Sequence, residues 1–535
     1  MHTFLRLALP FLATAAAYAL LLVTEWLFHD LRSTLRQLVG PKSPEFFFGN
    51  IKQMEEDPSI TWRWRNTFGA TFQFKGLLNK RELYTADTVA IDHIVRNNFV
   101  YQKRGVAVSA NNRLAGEGLL GVEGEAHKRQ RRVMNPAFGT AQIRSLMGVF
   151  LDKSVELRDV WNRTIGDGSK PKRIDVLDWL SRMTLDVIGE AGFNHRFDSL
   201  NPNSAPNEVL KTFNKLLHSP GSARQNLIRI SIPLLRFLPG LPGRKTFNEG
   251  RATLFAMGNR LLIDGKAAIN AGGGPKAVSG SRDLFSLILR ANMSADVPDA
   301  HRMSDSEVVG QVPTFFLAGH ATTSSAISWA LHELSMHQAV QTKLREELLA
   351  LATDTPTLEE LNSLPFLESV IRETLRIHPP VSHVVRMATA DDVLPLGTPC
   401  LDIHGRKLTS LAIRKGQTIR IPIADVNTDI TLWGEDAAEF RPERWTQLPK
   451  AVETIPATWG NMLTFLAGPH NCIGFRFSLA EQKALLFVLI RAFQFESVFA
   501  AGEIRRSGSG LQSPYVYSER EKGSQMPLMV KAYQA

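Results

Sequence analysis

A single cysteine in a loop rich in glycine and proline is the residue best placed to do chemistry. The segment FLAGPHNCIGFRFSLAEQKALLFVLI sets Cys472 just ahead of an almost entirely apolar helix. A thiolate near a helix N-terminus gains from the dipole and from free backbone N–H groups, which lower its pKa and make it a metal ligand. Gly468 and Gly474 let the backbone pass close to a flat cofactor, and Phe465 shields the sulfur from water. The competing reading of any cysteine is a small buried apolar residue. That reading suits Cys400, which lies in LPLGTPCLDIHG without such surroundings. Glu373 and Arg376, three apart, share a helix face and can pair. His127 and Arg131, four apart in GEAHKRQRRVMNPAF, project from one face of a basic helix. Thr322 sits mid-helix, where a hydroxyl commonly bonds back to the carbonyl four residues earlier.

Hydrophobic periodicity supplies the elements that must carry these groups. Helices are predicted over roughly 124–135, 140–165, 174–192, 207–217, 246–270, 304–335, 338–351, 366–377 and 475–493. Short strand-like runs occur near Thr71–Phe74 and Gln417–Ile423. The expected fold class is therefore mainly α with a minor β-sheet region. In the helix from 304, Ser304 and Glu307 form a capping-box start, while Pro313 and Gly319 predict a kink or a groove. Close packing against a neighbour would account for the glycine equally well. The stretch AGGGPKAVSGS at 271–281 reads as an exposed loop rather than a domain boundary.

With 535 residues and 44% hydrophobic content the chain can bury a large core. Its 2 cysteines exclude a disulfide scaffold and a Cys₄ cluster within the chain. A net charge of +10 favours an anionic partner without choosing one. No interleaving of basic and aromatic residues points to nucleic acid. Leu7 to Val23 is uncharged, and with Trp26, Leu27 and Phe28 it reaches about 20 residues, or roughly 30 Å of helix. The organisation expected is a membrane anchor over 1–28, a basic, proline-containing hinge over 29–50 and one catalytic body over 51–535. Arg32, Arg36 and Lys42 favour a body on the cytosolic side.

Phe465, Gly468, Cys472 and Gly474 fit the F-x-x-G-x-R-x-C-x-G loop of the cytochrome P450 family, a pattern met by chance about 10⁻³ times in a chain this long. Glu373 and Arg376 match its E-x-x-R. Pro442, Glu443 and Arg444 resemble P-E-R-F, with Trp445 for Phe, and Ala318, Gly319 and Thr322 match A-G-x-x-T. The sequence resembles microsomal-type, fungal members over roughly residues 40–530. The resemblance implies a single large haem-binding fold with an N-terminal transmembrane helix, in which Cys472 is the axial ligand of haem b (iron protoporphyrin IX). It further implies a structural network of Glu373, Arg376 and Arg444, and propionate contacts from His127, Arg131, Arg386 and His470. Thr322 would line the oxygen pocket. His127 replaces the usual Trp, His470 the usual Arg, and Ala321 the acid often found before the Thr. That last departure puts the usual acid-to-Thr proton relay in doubt.

The activity implied is a haem-thiolate monooxygenase that puts one atom of O2 into a lipophilic small molecule, such as a terpenoid or other secondary-metabolite intermediate. Electrons would come from a separate NADPH-cytochrome P450 reductase, since 63 residues after Cys472 leave no flavin module. The location implied is the endoplasmic reticulum membrane. Aliphatic and aromatic residues at 104–120, 228–243, Phe315, Phe316, 381–385 and Tyr515 are the substrate-facing candidates. A haem-thiolate isomerase or dehydratase, independent of external O2, and a non-catalytic haem-binding protein are the alternatives.

Overall fold

The computed structural model describes residues 31–57, 59–103, 116–166, 170–202, 244–271, 274, 283–507 and 510–534, with isolated positions between 10 and 24. Among the described residues no helix is long and apolar enough to cross a membrane. The anchor expected over 1–28 lies largely outside them, as do the helix expected over 207–217 and most of 104–120. The chain divides into two compact units, residues 1–102 with 383–425, and residues 103–382 with 426–535.

The smaller unit is built on strands β1 (Thr71–Lys75), β2 (Arg81–Thr85), β3 (Tyr101–Lys103), β4 (Val384–Ala388), β5 (Asp392–Leu401), β6 (Lys407–Ile413) and β7 (Thr418–Ile421). Five of them form a sheet in the order β1-β2-β7-β4-β3, and β5 and β6 form a separate hairpin. Phe72 stacks on Tyr84 at 4.4 Å across the β1–β2 pair, the face that alternation drives inward. Residues 40–50 hold no helix, and Asn50 Nδ2 donates to the Lys42 carbonyl at 2.9 Å. Cys400, on β5, is 4% exposed, and burial pushes its thiol up to about 11. It is a core residue.

The larger unit is helical. The helices that carry the argument are α1 (Gly124–Met134), α2 (Met147–Ile165), α3 (Val176–Phe193), α4 (Gln311–Met336), α5 (Pro365–Ile377) and α6 (Phe475–Ala492). Antiparallel strands Lys172–Asp175, Pro527–Ala532 and Phe493–Ser497 form a small sheet beside them. The helix expected over 304–335 is two helices. Its capping box is present, but the first segment, Asp305–Val309, ends at Gly310 and α4 begins at Gln311. Pro313 thus falls in the first turn of α4, where its missing N–H costs little. Gly319 does not interrupt α4. A Cβ there would stand 3.1 Å from Ile188 Cδ1 on α3, so close packing of two helices is what requires the glycine.

A buried polar pair near the end of α4 makes stability depend on pH. His378 stacks on Trp329 at 4.1 Å and sets its Nε2 2.6 Å from Glu333 Oε1. Burial lowers the His378 pKa to about 4, with Arg506 acting the same way, so a neutral imidazole donates to an ionised Glu333. The folded state then binds fewer protons than the unfolded chain between pH ~6.5 and ~4. Stability is fully present above that window and is lost as pH falls through it, by about 2–3 kcal/mol from this residue. Urea unfolding followed from pH 7 to 4 should show that decline, and His378→Gln should flatten it.

Candidate active site

The Cys472 loop is fixed by backbone geometry that only particular residues accept. The Cys472 N–H donates to the Phe465 carbonyl at 2.9 Å, closing the loop ahead of α6. Gly468 has φ +69°, a conformation costly for a residue with a Cβ. Gly468→Ala should therefore destabilise the protein by about 1–2 kcal/mol in thermal or urea unfolding. Phe465 is buried, with its ring 6.0 Å from that of Phe475. Cys472 is exposed although protein surrounds it closely. Burial raises its thiol pKa, while the Gly474 N–H and the Arg131 charge pull it down. A reachable sulfur in a walled recess is the donor a metal needs.

Arg131 faces the loop rather than open space. Its Nη1 and Nη2 donate to the Asn471 carbonyl at 2.9 Å and to Asn471 Oδ1 at 2.6 Å. Asn471 Nδ2 reaches Thr458 Oγ1 at 3.0 Å, so α1 and the preceding turn grip the residue next to Cys472. His127 is 4% exposed and stacks on His470 at 4.0 Å. Burial, helped by the charge on His470 and Lys103, lowers its pKa to about 3, so it stands as a neutral imidazole. His470 Nε2 lies 2.9 Å from Glu123 Oε2. Burial pushes Glu123 upward, but His470 and Lys103 prevail and hold it at about 2. Glu123 and Asn471 are functional neighbours that sequence reasoning missed; neither belongs to a motif. Arg386 lies on β4 in the smaller unit, 6% exposed, with Nη1 donating to its neighbour's carbonyl at Val385.

Glu373, Arg376 and Arg444 do meet. Arg376 Nε and Nη2 donate to Glu373 Oε2 at 2.9 Å and Oε1 at 2.7 Å, a bidentate pair with both side chains 0% exposed. Arg444 Nε reaches Glu373 Oε1 at 3.2 Å, and Arg444 Nη1 reaches Asp436 Oδ1 at 2.6 Å. Trp445 adds an indole N–H to Glu373 Oε2 at 3.1 Å, a donor that Phe could not supply. Asn427 carries the network to the cysteine loop. Its carbonyl accepts from Arg376 Nη1 at 3.0 Å, while its side chain receives Leu463 N–H at 2.8 Å and donates to Thr464 Oγ1 at 2.8 Å.

Between Gln311 and Leu331, α4 is buried except for a window. Ala318 is exposed and Leu317, Gly319 and Thr322 are partly so, between fully covered turns. Thr322 Oγ1 donates to the Ala318 carbonyl at 2.6 Å, the back-bond that the sequence left open. Phe316 is 0% exposed and stacks on Phe193 at 4.7 Å, while Phe315 meets Phe138 edge-on at 5.6 Å. Both rings are buried among aromatic neighbours. Residues 228–243 lie outside the described residues.

The body is helical and carries an accessible, loop-held sulfur, a buried Glu–Arg–Arg brace and an open turn on its central helix. A sequence profile of the cytochrome P450 family matches residues 39–505. Cytochrome P450 monooxygenase 205 of Postia placenta is 46% identical over 508 residues, covering 94% of this chain and 93% of that protein. Cytochrome P450 monooxygenase 128 of the same fungus is 42% identical, with 97% of each covered. Cytochrome P450 monooxygenase claP of Ampulloclitocybe clavipes is 36% identical, covering 95% and 97%. The chain belongs to the cytochrome P450 family and is a monooxygenase of fungal type.

The family implies a haem iron cofactor, and the residues present fit one. Cys472 offers a soft, reachable donor. Gly474 has φ −90°, and a Cβ there would meet only Phe138 Cε1 at 3.8 Å, ordinary contact. Neither backbone nor protein neighbours require that glycine, and the space beside it is open to a group next to the sulfur. Gly474→Ala should leave the unfolding free energy of the haem-free chain within about 0.5 kcal/mol, the range of a harmless substitution. The haem-loaded fraction, read from the Soret-to-protein absorbance ratio, should fall.

Proposed function

We propose that this chain inserts one atom of O2 into a C–H or C=C bond of a hydrophobic, uncharged small molecule, the second atom leaving as water. The observation that carries the reading is the accessible Cys472 sulfur in a loop gripped by Arg131 and braced through Asn427. Cys472 would hold the haem iron through its sulfur, and the group would supply oxygen activation there. Phe465 packs against Phe475 beneath the loop, and the Gly474 N–H steadies the negative charge of the sulfur. Arg131 holds the loop through Asn471, and His127, Arg131, Arg386 and His470 remain the candidates to hold the propionates. Thr322 stands at the open window of α4, where its hydroxyl can leave the Ala318 carbonyl to orient oxygen and water.

Electrons come from a separate NADPH-dependent flavoprotein reductase, and the exposed Lys128 and Arg132 on α1 suit an acidic donor. The segment 1–28 anchors the protein in the endoplasmic reticulum membrane with residues 51–535 on the cytosolic side, a reading supported by the uncharged run from Leu7 to Val23. Terpenoid or other secondary-metabolite intermediates are the substrate class to screen.

The test is reduction under carbon monoxide, then turnover with reductase, NADPH and lipophilic candidates under labelled O2. A thiolate-type difference band and labelled product are expected. Unlabelled product beside a correct band would make the chain an isomerase or dehydratase instead. No thiolate-type band in folded, haem-loaded protein would sink the reading.

A further inference from the structure

Residues 116–121 form turns and a bend rather than helix or strand, and they run tightly across the start of α4. Gly118 is buried, and a Cβ there would stand 2.2 Å from the Gly310 carbonyl oxygen and 2.3 Å from Thr314 Oγ1. A helix carbonyl cannot give way, so glycine at 118 is what lets this strap lie so close. Gly116 has φ +59°, and a Cβ there would stand 2.7 Å from the Phe255 ring on the helix Arg244–Ala271.

Buried amides hold the strap in place. Gln311, the first residue of α4, accepts the Leu119 N–H on Oε1 at 3.1 Å. Its Nε2 donates to Gln130 Oε1 at 3.1 Å and to the Glu307 carbonyl at 2.8 Å. Gln130 on α1 donates from Nε2 to the Glu117 carbonyl at 2.8 Å and to Glu307 Oε1 at 3.2 Å. Glu307 also accepts from Arg129 and, on Oε2, from the Ser304 N–H of its capping box. On the solvent side Ser306 Oγ donates to Glu117 Oε2 at 2.6 Å. Gln130 and Gln311 are both 0% exposed. Apolar side chains would fill those positions without the cost of burying amides. What a fully bonded amide network adds is one fixed arrangement of the segments it joins.

The strap borders the open window. Gln311, Thr314, Ala318 and Thr322 follow at three- and four-residue steps, so they share a face of α4. Gly118 covers that face at Thr314, and the exposed Ala318 comes one turn later, about 6 Å along the axis. We infer that Gln311 and Gln130 are positioning residues that hold this rim against α4 and thereby limit the size of the molecule admitted to the window. This rests on the monooxygenase reading above, which puts the reaction at that window. The rim lifts when the two amides release the Leu119 N–H and the Glu117 carbonyl, and no covalent bond changes.

The test uses the full-length, haem-loaded chain and the variants Gln311→Met, close to glutamine in shape, and Ser306→Ala on the solvent side. Hydrogen exchange of the Leu119 amide, corrected for global stability from urea unfolding, should quicken about tenfold in Gln311→Met, because a buried N–H loses its acceptor. Imidazole and 4-phenylimidazole, nitrogen ligands of haem iron, are the probes, each followed by its Soret shift. The larger probe needs the rim raised, so its affinity should rise by the same factor of about ten while that of imidazole stays unchanged. Gln130→Met should act alike, and the double variant should add little, since either loss opens the same latch. Ser306→Ala should shift both readouts about twofold, the effect of an exposed hydrogen bond. Faster exchange with an unchanged affinity ratio would leave the network a structural brace and overturn the inference, as would wild-type exchange in Gln311→Met. If that variant does not fold, Ser306→Ala decides, wild-type values in both readouts being the refutation. Absence of the thiolate-type band from the wild type would overturn the monooxygenase reading and this inference together.

Discussion

Cys472→Ala abolishes the thiolate-type carbon monoxide band and lowers oxygen insertion by far more than about 100-fold, the upper end of what loss of a mere supporting partner costs at a metal site. The expectation follows from contrast within one chain. Both cysteines are free, yet Cys472 is exposed in a closed loop at the start of α6, and Cys400 is packed in the β5–β6 hairpin. Cys400→Ala should leave the band and the activity intact and cost about 1 kcal/mol of stability, the ordinary effect of a single substitution. Ligand loss and simple unfolding are separated by far-ultraviolet circular dichroism and urea unfolding of the haem-free proteins. Cys472→Ala should match the wild type there, because its side chain supports no core. An intact band in Cys472→Ala would refute the assignment of the ligand.

Glu373→Gln is the second large effect. It removes the negative charge that Arg376 and Arg444 share while leaving both guanidinium groups buried. Asp436 still faces Arg444, but Arg376 retains only carbonyls at Asn427, Ala437 and Glu439. Breaking a buried pair in this way costs about 3–5 kcal/mol, a large share of the roughly 5–15 kcal/mol that holds a folded protein. Urea unfolding should register it, and haem retention should fall with it, since Asn427 ties this network to Leu463 and Thr464 in the cysteine loop. The double replacement Glu373→Leu with Arg376→Met should cost less than the sum of the single ones, because no unpaired charge remains between them. Additive losses would mean that the two residues act separately.

The local elements followed from periodicity where a helix is long and one face is apolar. Helices 124–135, 174–192, 338–351, 366–377 and 475–493 are found within a few residues of those bounds. The strands β4 to β6 escaped notice because β4 pairs with β7 beyond the intervening hairpin, and the half-buried β5–β6 hairpin carries a broken alternation. Pro313 misled for a similar reason. Whether a proline interrupts a helix depends on where the helix begins, and Gly310 moved that start by several residues.

The site divides along the same line. Cys472, Glu373, Arg376, Arg444 and Thr322 were legible because their chemistry requires fixed spacing within one loop or one helix face, and spacing is a property of sequence. Their partners were not. Trp445, Asn427 and Asp436 complete the charge network, Asn471 takes the donors of Arg131, and Glu123 takes up His470. Each supplies hydrogen bonds to residues outside its own motif, and any polar side chain at the right point in space would serve. The sequence by itself determined the family, the cysteine proposed to carry the chemistry and the helices that bear it. Only the tertiary structure decided that Arg131 holds a loop, that Gly319 packs a helix and that Glu481 is buried. Desolvation and hydrogen-bond satisfaction are fixed by what surrounds a group, and those surroundings exist only once distant segments have packed.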